Sequence, residues 1–457
     1  MAELIDRLCK VLDDRHDDIE REEDYYEGEL PRLVLPDRTL PSYRAIVSQA
    51  RSPWGSLVID AASERLCVDG FRVVTPDGAD ADAEADKLAW DIWEHSRGEV
   101  GSQAAFQAML LHGASYVLVE PGDDLPLISF EHPEVAATLT APGGRGTIAA
   151  IKRWHEDDLD VAVLWTLGGA ATLVRNRARH GASWELSGTQ LVTNTTGVVP
   201  MFPMKNKPDL RGGYSSDLDG LYNTIDRTTQ SIADRVTTQF FASTMVRYLI
   251  GVSPELDEDG NPTASALKMA TDKLLLIENP DAKAGALPAS DLRQFIEVAR
   301  SDISALAAIS RLPSFLLSGD LINVSAEALR SLMQGLVSRV VQRQVWAAPA
   351  LSDAMRLALR LAGDARATDP RTRVEVVWGD VVEPDLAAAA QSASTLTQAG
   401  VLSKTAAQEY ALGLSPSQIA KYQQYERVDA LNANGVAGIQ SLFTAPAAEL
   451  AAATVVP

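Results

Sequence analysis

The stretch from Ser325 to Leu361 most constrains what this chain can become. Ser325 with Glu327 marks a helix start, and nothing stops the helical pattern for about 35 residues. At about 1.5 Å per residue the rod is on the order of 50 Å long. Pro349 falls inside it and predicts a kink. With 457 residues in all, the expectation is two to four structural units rather than one compact domain.

Two further helical stretches precede the rod. Ser216, followed by Asp219, predicts a helix running to about Leu249, with Leu218, Leu221, Ile225, Ile232, Val236, Phe240 and Met245 among Thr, Gln and Asp. Ser290 predicts the cap of a second helix carrying Leu292, Phe295, Ile296, Ala299, Ile303 and Leu306. Between them lies a loop-rich insert with the turn Asp257-Glu258-Asp259-Gly260-Asn261-Pro262 and a strand-like Leu274–Ile277. The pair reads as an out-and-back arm. Leu312–Val324 then breaks the helical period, with Pro313 and Gly319 inside an apolar run and Asp320 its sole ionisable residue.

Upstream, Leu4, Leu8, Val11 and Leu12 predict a helix ending near Tyr25-Tyr26-Glu27-Gly28. Pro31 and Pro36 predict extended chain, and Ser56–Val74 reads as short alternating pieces. Helices follow around Trp90 and Trp93 and through Phe106 to His112-Gly113, then a strand over Ser115–Glu120. Residues 125–199 read as antiparallel strands with turns at Pro142-Gly143-Gly144, Asp157-Asp158, Gly168-Gly169 and Ser187-Gly188. Arg373–Trp378 reads as a strand. Pro384-Asp385 and Ser415-Pro416-Ser417-Gln418 open helices, and an Ala/Gly/Pro-rich tail after Asn432 reads as disordered.

Acidic residues outnumber basic ones by 62 to 41, for a formal charge of −21. A protein that grips DNA through phosphates needs a basic surface, and this chain has no long Lys/Arg run. Composition alone favours an ordinary acidic protein over a surface made to sit near DNA without sticking. Cys9 and Cys67 lie far apart, with no metal-ligand spacing. MAELIDRLCK has no apolar signal core, so a cytoplasmic product is expected. Val161–Val174, the longest uncharged apolar stretch, is too short for a bilayer and reads as a β-hairpin around Gly168-Gly169.

The search for chemistry finds little. No phosphate loop, HExxH or GxSxG occurs. Gly143-Gly144-Arg145-Gly146 reads as a surface turn. His155 beside Asp157 and Asp158 reads as a hairpin tip, and Asp13-Asp14 and Asp17-Asp18 as a solvated helix face. No catalytic residue, metal ligand or cofactor is expected. A metal-dependent hydrolase or nuclease built from dispersed carboxylates stays open as an alternative.

Several moderate motifs occur in order. They are Tyr25-Tyr26-Glu27-Gly28; His112-Gly113-Ala114-Ser115-Tyr116; Pro200, Pro203, Asn206, Gly213, Ser216 and Asp217; Ile309-Ser310-Arg311-Leu312-Pro313; Asn323 to Arg330; and Ala399 to Ser403 with Gly413 to Pro416. Together, over roughly Asp17–Asp429, the chain resembles the portal family of tailed bacteriophages, in the branch of long-tailed phages of Gram-positive and actinobacterial hosts. It departs from that branch at Glu29, where a basic residue or histidine is usual, and in its short insert.

The resemblance implies an α+β portal fold with a β-rich wing, a two-helix stem, a small clip insert, a long kinked spine helix and a helical crown. Its implied boundaries are wing 1–214, stem helices 215–250 and 290–311, clip 251–289, tunnel loop 312–324, spine helix and strand 325–380, crown 381–431 and tail 432–457. It implies a virion protein, made in the host cytoplasm, that forms a ring of about twelve copies at one capsid vertex for DNA packaging, retention and ejection. Double-stranded DNA would pass without specific binding beside Pro313, Ser314, Phe315, Leu316, Leu317, Ser318, Gly319, Asp320, Leu321, Ile322 and Asn323. Glu255, Asp257, Glu258 and Asp259 would face the terminase large subunit and then the head–tail adaptor. Capsid and scaffolding proteins are the other implied partners, and no membrane is. Another structural virion protein, such as an adaptor or capsid subunit, is the remaining alternative.

Overall fold

Ile5, Leu8, Cys9 and Leu12 recur at three- and four-residue spacing, so a helix puts them on one side. In the computed structural model they form the buried side of α1 (Ala2–Glu27), against Ala137, Ala149, Ile151, Ala162, Leu164, Ala171 and Leu173. Burying each large side chain contributes about 1.5–3 kcal/mol. The structure describes residues 2–29, 48–76, 86–141, 146–179, 182–187, 192–243, 247–250, 283–286, 293–319, 325–381, 386–401, 422 and 425.

After α1 come α2 (Trp54–Ser63), β1 (Val68–Val74), α3 (Lys87–His95) and α4 (Gly98–His112). Nine strands follow: β2 (Ala114–Glu120), β3 (Leu127–Glu131), β4 (Ala136–Thr140), β5 (Thr147–Glu156), β6 (Leu159–Thr166), β7 (Gly169–Asn176), β8 (Glu185–Leu186), β9 (Val192–Thr193) and β10 (Met201–Lys205). Then come α5 (Tyr222–Ser243), β11 (Arg247–Ile250), β12 (Lys283–Ala286), α6 (Arg293–Ser310), α7 (Ser314–Ser318), α8 (Ala326–Leu361), β13 (Arg373–Trp378) and α9 (Leu386–Gln398).

The chain divides into two units. The first is Met1–His16, Ala61–Ser216 and Val337–Pro457; the second is Asp17–Asp60 and Asp217–Leu336.

In the first unit, strands β4-β5-β6-β7-β8 form a sheet in sequence order, with β9 added to β7. Alternation along β5 sends Ala149 and Ile151 toward α1, and Ala150 the other way. On that other side, Ala150 and Trp165 meet Tyr116, Leu118 and Met201 from a second sheet of order β10-β2-β3. The first half of α1 and the two sheets therefore stack as three layers. Helices α3 and α4 pack on β3. There Trp93 meets Phe71 at 5.1 Å and Phe130 at 5.9 Å between ring centroids. Gly98 lies under the Trp93 ring, where a Cβ would come within 2.2 Å of it.

Three chain segments far apart in sequence are pinned together in this unit. Gly113 ends α4 at φ +75°, and a Cβ there would sit 2.8 Å from the Ser215 backbone. The Gly113 carbonyl accepts from Asn206 N–H at 2.8 Å, and Asn206 Nδ2 donates to the Ser215 carbonyl at 2.9 Å. Arg15 of α1 donates to the His112 carbonyl at 2.5 Å and to the Tyr214 hydroxyl at 3.0 Å.

In the second unit, α5 and α6 pack together and are joined through the antiparallel pair β11–β12. This unit also holds the second half of α1, most of α2, α7 and the start of α8.

Four expectations need correction. Ser56–Val74 is alternating only in its second half, strand β1 (Val68–Val74); the part before it is helix α2. Trp54, Val58, Ile59 and Ala62 are buried along α2, and Pro53 precedes its first residue. The helix expected from Ser216 begins instead at Tyr222, because Gly220 turns the chain at φ +83°. Leu218 and Leu221 are buried, but in turns before the helix. The same helix does not reach Leu249: Arg247-Tyr248-Leu249-Ile250 pairs as a strand with Lys283–Ala286, as aromatic and β-branched residues favour. Finally, Leu312–Val324 contains one helical turn, α7, too short to show a period. Pro31, Pro36, Pro142-Gly143-Gly144, Gly188, Leu274–Ile277, Ser290, Pro384-Asp385, Ser415–Gln418 and the tail lie outside the described residues.

The Gly113 contact yields a stability test. Gly113→Ala should lower the unfolding free energy by about 1–3 kcal/mol in urea titrations. Gly197→Ala has a similar positive φ but nothing within 4 Å of the new Cβ, so it should cost less. Equal losses would remove the close-packing argument.

Candidate functional site

The segment expected to face a channel begins where α6 ends. Leu312 N–H donates to the Ala307 carbonyl at 3.0 Å and Arg311 N–H to the Ala308 carbonyl at 3.3 Å, closing the last turn. Arg311, rather than glycine, takes the left-handed position at φ +58°, a mild strain. The Arg311 carbonyl lies against Gly335 of α8, 3.3 Å from where a Cβ would stand.

Pro313 precedes α7, and Gly319 closes it at φ +71° with its N–H donating to the Phe315 carbonyl at 2.9 Å. Leu312, Pro313 and Leu317 are buried, Phe315 is half-buried, and Ser314, Leu316, Ser318 and Gly319 are exposed. The turn is therefore anchored by Leu312, Pro313 and Leu317 and presents Ser314, Leu316 and Ser318 outward. Asp320, Leu321, Ile322 and Asn323 lie outside the described residues, as do Glu255, Asp257, Glu258 and Asp259. The chain resumes at Ser325, whose hydroxyl accepts from Ala328 N–H at 3.2 Å as the cap of α8. Helix α8 continues on both sides of Pro349.

The helix pair leading to this segment has a polar seam. Asp302 of α6, a buried residue, accepts from Arg227 Nε at 2.8 Å and from Ser231 Oγ at 2.7 Å, both on α5. Thr224, Thr228 and Thr229 are buried on α5 beside Ile225 and Ala233. Near the start of α5, the Tyr25 hydroxyl donates to Asp226 Oδ1 at 2.8 Å, and its ring meets that of Tyr222 at 4.7 Å. Burial, and then the Asp226 carboxylate, push the Tyr25 phenol well above its ordinary range. The Tyr26 hydroxyl donates to Asp60 of α2 at 3.0 Å. Gly55 lets α2 approach, since a Cβ there would lie 2.5 Å from the Tyr25 carbonyl. The tyrosine pair thus ties α1 to α5 and to α2.

The profile of phage portal proteins of the SPP1 Gp6-like type matches residues 4–427. The chain belongs to that family. It is 24% identical over 456 residues to the portal protein of Mycobacterium phage D29, covering 95% of this chain and 90% of the relative. It is 24% identical over 413 residues to that of Mycobacterium phage L5, covering 86% and 82%. Among solved structures it is similar to a chain in the neck of the native GTA particle computed with C12 symmetry, at 13% identity and TM-score 0.46, covering 84% of this chain and 96% of that one. A chain in the virion of the native gene transfer agent is 12% identical, with TM-score 0.43, covering 86% and 99%. The family gives this chain a structural place, at the portal of the phage capsid.

The motifs that carried the portal resemblance are structural joints. Gly113, Asn206 and Arg311 bring backbones together, and Tyr25 and Tyr26 tie helices through side-chain carboxylates, as described above. Sequence reasoning missed Arg15, Arg227 and Asp302, whose partners are 71 to 199 residues away. Two other candidates resolve as clamps. His155 Nδ1 lies 2.6 Å from Asp160, its cross-strand neighbour, which also accepts from Arg175 at 2.6 and 3.0 Å. Burial pushes the Asp160 carboxyl up, but the hydrogen bonds from Arg175 and His155 outweigh it and hold it below the usual range. Asp157 only makes the turn, at φ +51°. Asp13 pairs with Arg153 at 2.7 Å.

His112 and His132 meet edge to face at 4.7 Å between centroids. Burial, with Arg15 nearby, depresses His112 to about 4; burial and then His112 itself depress His132 to about 4, while Glu134 opposes both shifts. His16 and His132 lie 4.0 and 3.9 Å from that carboxylate.

Two outcomes follow for this portal chain. The unfolded chain protonates these histidines near 6.5 and the folded one only near 4. Stability should therefore fall as pH drops through that window, and His132→Gln should flatten the fall in denaturant titrations; an unchanged slope would contradict it. Asp302→Ala should lower unfolding free energy by roughly 1–3 kcal/mol, with Asp302→Asn costing less because it can still accept from Ser231. Equal stability of all three chains would show that the seam is idle.

Proposed function

We propose that the chain is one subunit of a ring, about twelve copies, set at one capsid vertex, through which double-stranded DNA is packaged, retained and ejected. The observation that carries this reading is the family match over residues 4–427. The proposed parts are a wing at 1–214, stem helices at 215–250 and 290–311, a clip at 251–289 and a tunnel loop at 312–324. The spine helix and strand take 325–380, the crown 381–431 and the tail 432–457.

Electrostatics supports passage without capture. At −21 per chain, twelve copies carry about −250, and acidic walls make few of the phosphate contacts that release counterions and fix DNA in place. Within the tunnel loop, buried Leu317 and Pro313 would hold the turn while Leu316 and the half-buried Phe315 face the duplex. The clip, with Glu255, Asp257, Glu258 and Asp259, would meet the terminase large subunit and then the head–tail adaptor. The wing would meet the major capsid and scaffolding proteins.

Deleting Ser314 to Leu317 tests the loop assignment. Rings seen by electron microscopy should persist while packaged DNA per particle falls to background. Normal packaging by such rings would overturn it.

A further inference from the structure

A chain of −21 charge concentrates cations around one concavity of its first unit. A cleft of about 1150 Å³ runs between β10 and the second half of α8. Lys205, Arg211, Arg356 and Arg360 line it, against Asp209 and Asp353. A smaller adjoining cleft shares Asp353 and Arg356 and adds Arg371, Arg373 and Glu375, with Arg371 paired to Asp369 at 2.9 Å.

The larger cleft is also apolar. Leu167, Val198 and Leu210, three large hydrophobic residues left exposed by the fold, all line it. Leu210 is held out by a tight loop in which Asp209 Oδ1 accepts from Arg211 N–H at 2.8 Å and Gly213 N–H at 2.6 Å. Exposed apolar side chains gathered in one concavity mark a surface that is covered by something. Phosphates would use the cations and leave the apolar residues wet. A protein surface carrying both carboxylates and apolar side chains uses both.

Such a surface exists on this same unit. Asp91, Glu94 and Glu99 are exposed where α3 turns into α4, beside His95 and Arg97. Glu120, Asp123 and Asp124 are exposed at the turn between β2 and β3. The Ser96 hydroxyl accepts from Ile128 N–H at 3.0 Å, which joins the two turns into one corner. Val100 and Leu127 stand exposed on it.

The sheet order β10-β2-β3 sets the geometry. The cleft lies against one edge strand, β10, whereas the acidic corner lies at the β2–β3 turn and on the helices packed over β2 and β3. We infer that the acidic corner of one copy seats in the cationic, apolar cleft of the next, as a head-to-tail contact between copies of this chain. The inference rests on the ring reading above and assigns the surfaces that make the ring. Complementary patches at two different places on one unit repeat head to tail, and close when the rotation fits. Copies that repel one another through net charge also need a local opposite-charge contact to set their register.

The test uses the full-length chain, with sedimentation velocity and negative-stain images as readouts and circular dichroism as the check on folding. Arg356→Glu, and separately Asp123→Lys with Asp124→Lys on the exposed turn, should each cut the ring fraction about tenfold at equal protein concentration. Placing all three substitutions in one chain should restore rings. Wild-type ring fractions in the folded single-surface variants would overturn the contact, as would a folded triple variant that stays monomeric. If the unsubstituted chain never forms rings, the ring reading falls, and this contact with it.

Discussion

The hydrogen bond from Arg15 to the His112 carbonyl, with the bare Gly113 backbone pressed against Ser215, is the constraint on which the first unit depends. It fixes the exit of α4, the start of β2 and the chain after β10 at one point. Strand β2 is the middle strand of its sheet, so its direction sets β10 on one side and β3 on the other. The cleft and the acidic corner inherit their positions from that order. Any side chain at residue 113 pushes on backbone rather than on a movable side chain, which is why a small residue governs a large surface.

The second unit is organised differently. Its helix pair is held by a polar seam around Asp302 and by buried threonines, with modest apolar content. A seam of directional bonds fixes the register of two helices more sharply than interchangeable apolar contacts, at some cost in stability. Under the function proposed above, that suits a hairpin that delivers residues 312–319 to the bore. The left-handed Arg311 and Gly319 bracket that delivery.

What could be read from the sequence were features with a local cause. The α8 rod, the Gly168-Gly169 hairpin and the glycine ends at Gly28 and Gly113 each follow from a period or a turn residue. Helix α2 is hard to read because Leu57-Val58-Ile59 is a short apolar run without helical spacing, and the start signal it has is Pro53. Periodicity also misplaced the start of α5, since Leu218 and Leu221 are buried without being helical. The joints themselves left no local trace. The residues that Arg15 and Asp302 contact are brought close only by the fold, and the cleft gathers cations from β10, its loop and α8. The motif residues were visible as a pattern, but their physical role, joining segments far apart in sequence, was not.

In the proposed assembly, acidic copies adhere through small complementary patches and enclose a passage to which a polyanion does not stick. Electron cryomicroscopy of the portal vertex in intact particles tests this most directly. The expected map shows a ring with residues 312–319 at the narrowest part of the bore and a net negative inner wall. A ring whose bore is lined by lysine and arginine, or one that buries residues 312–319 away from the passage, would contradict it.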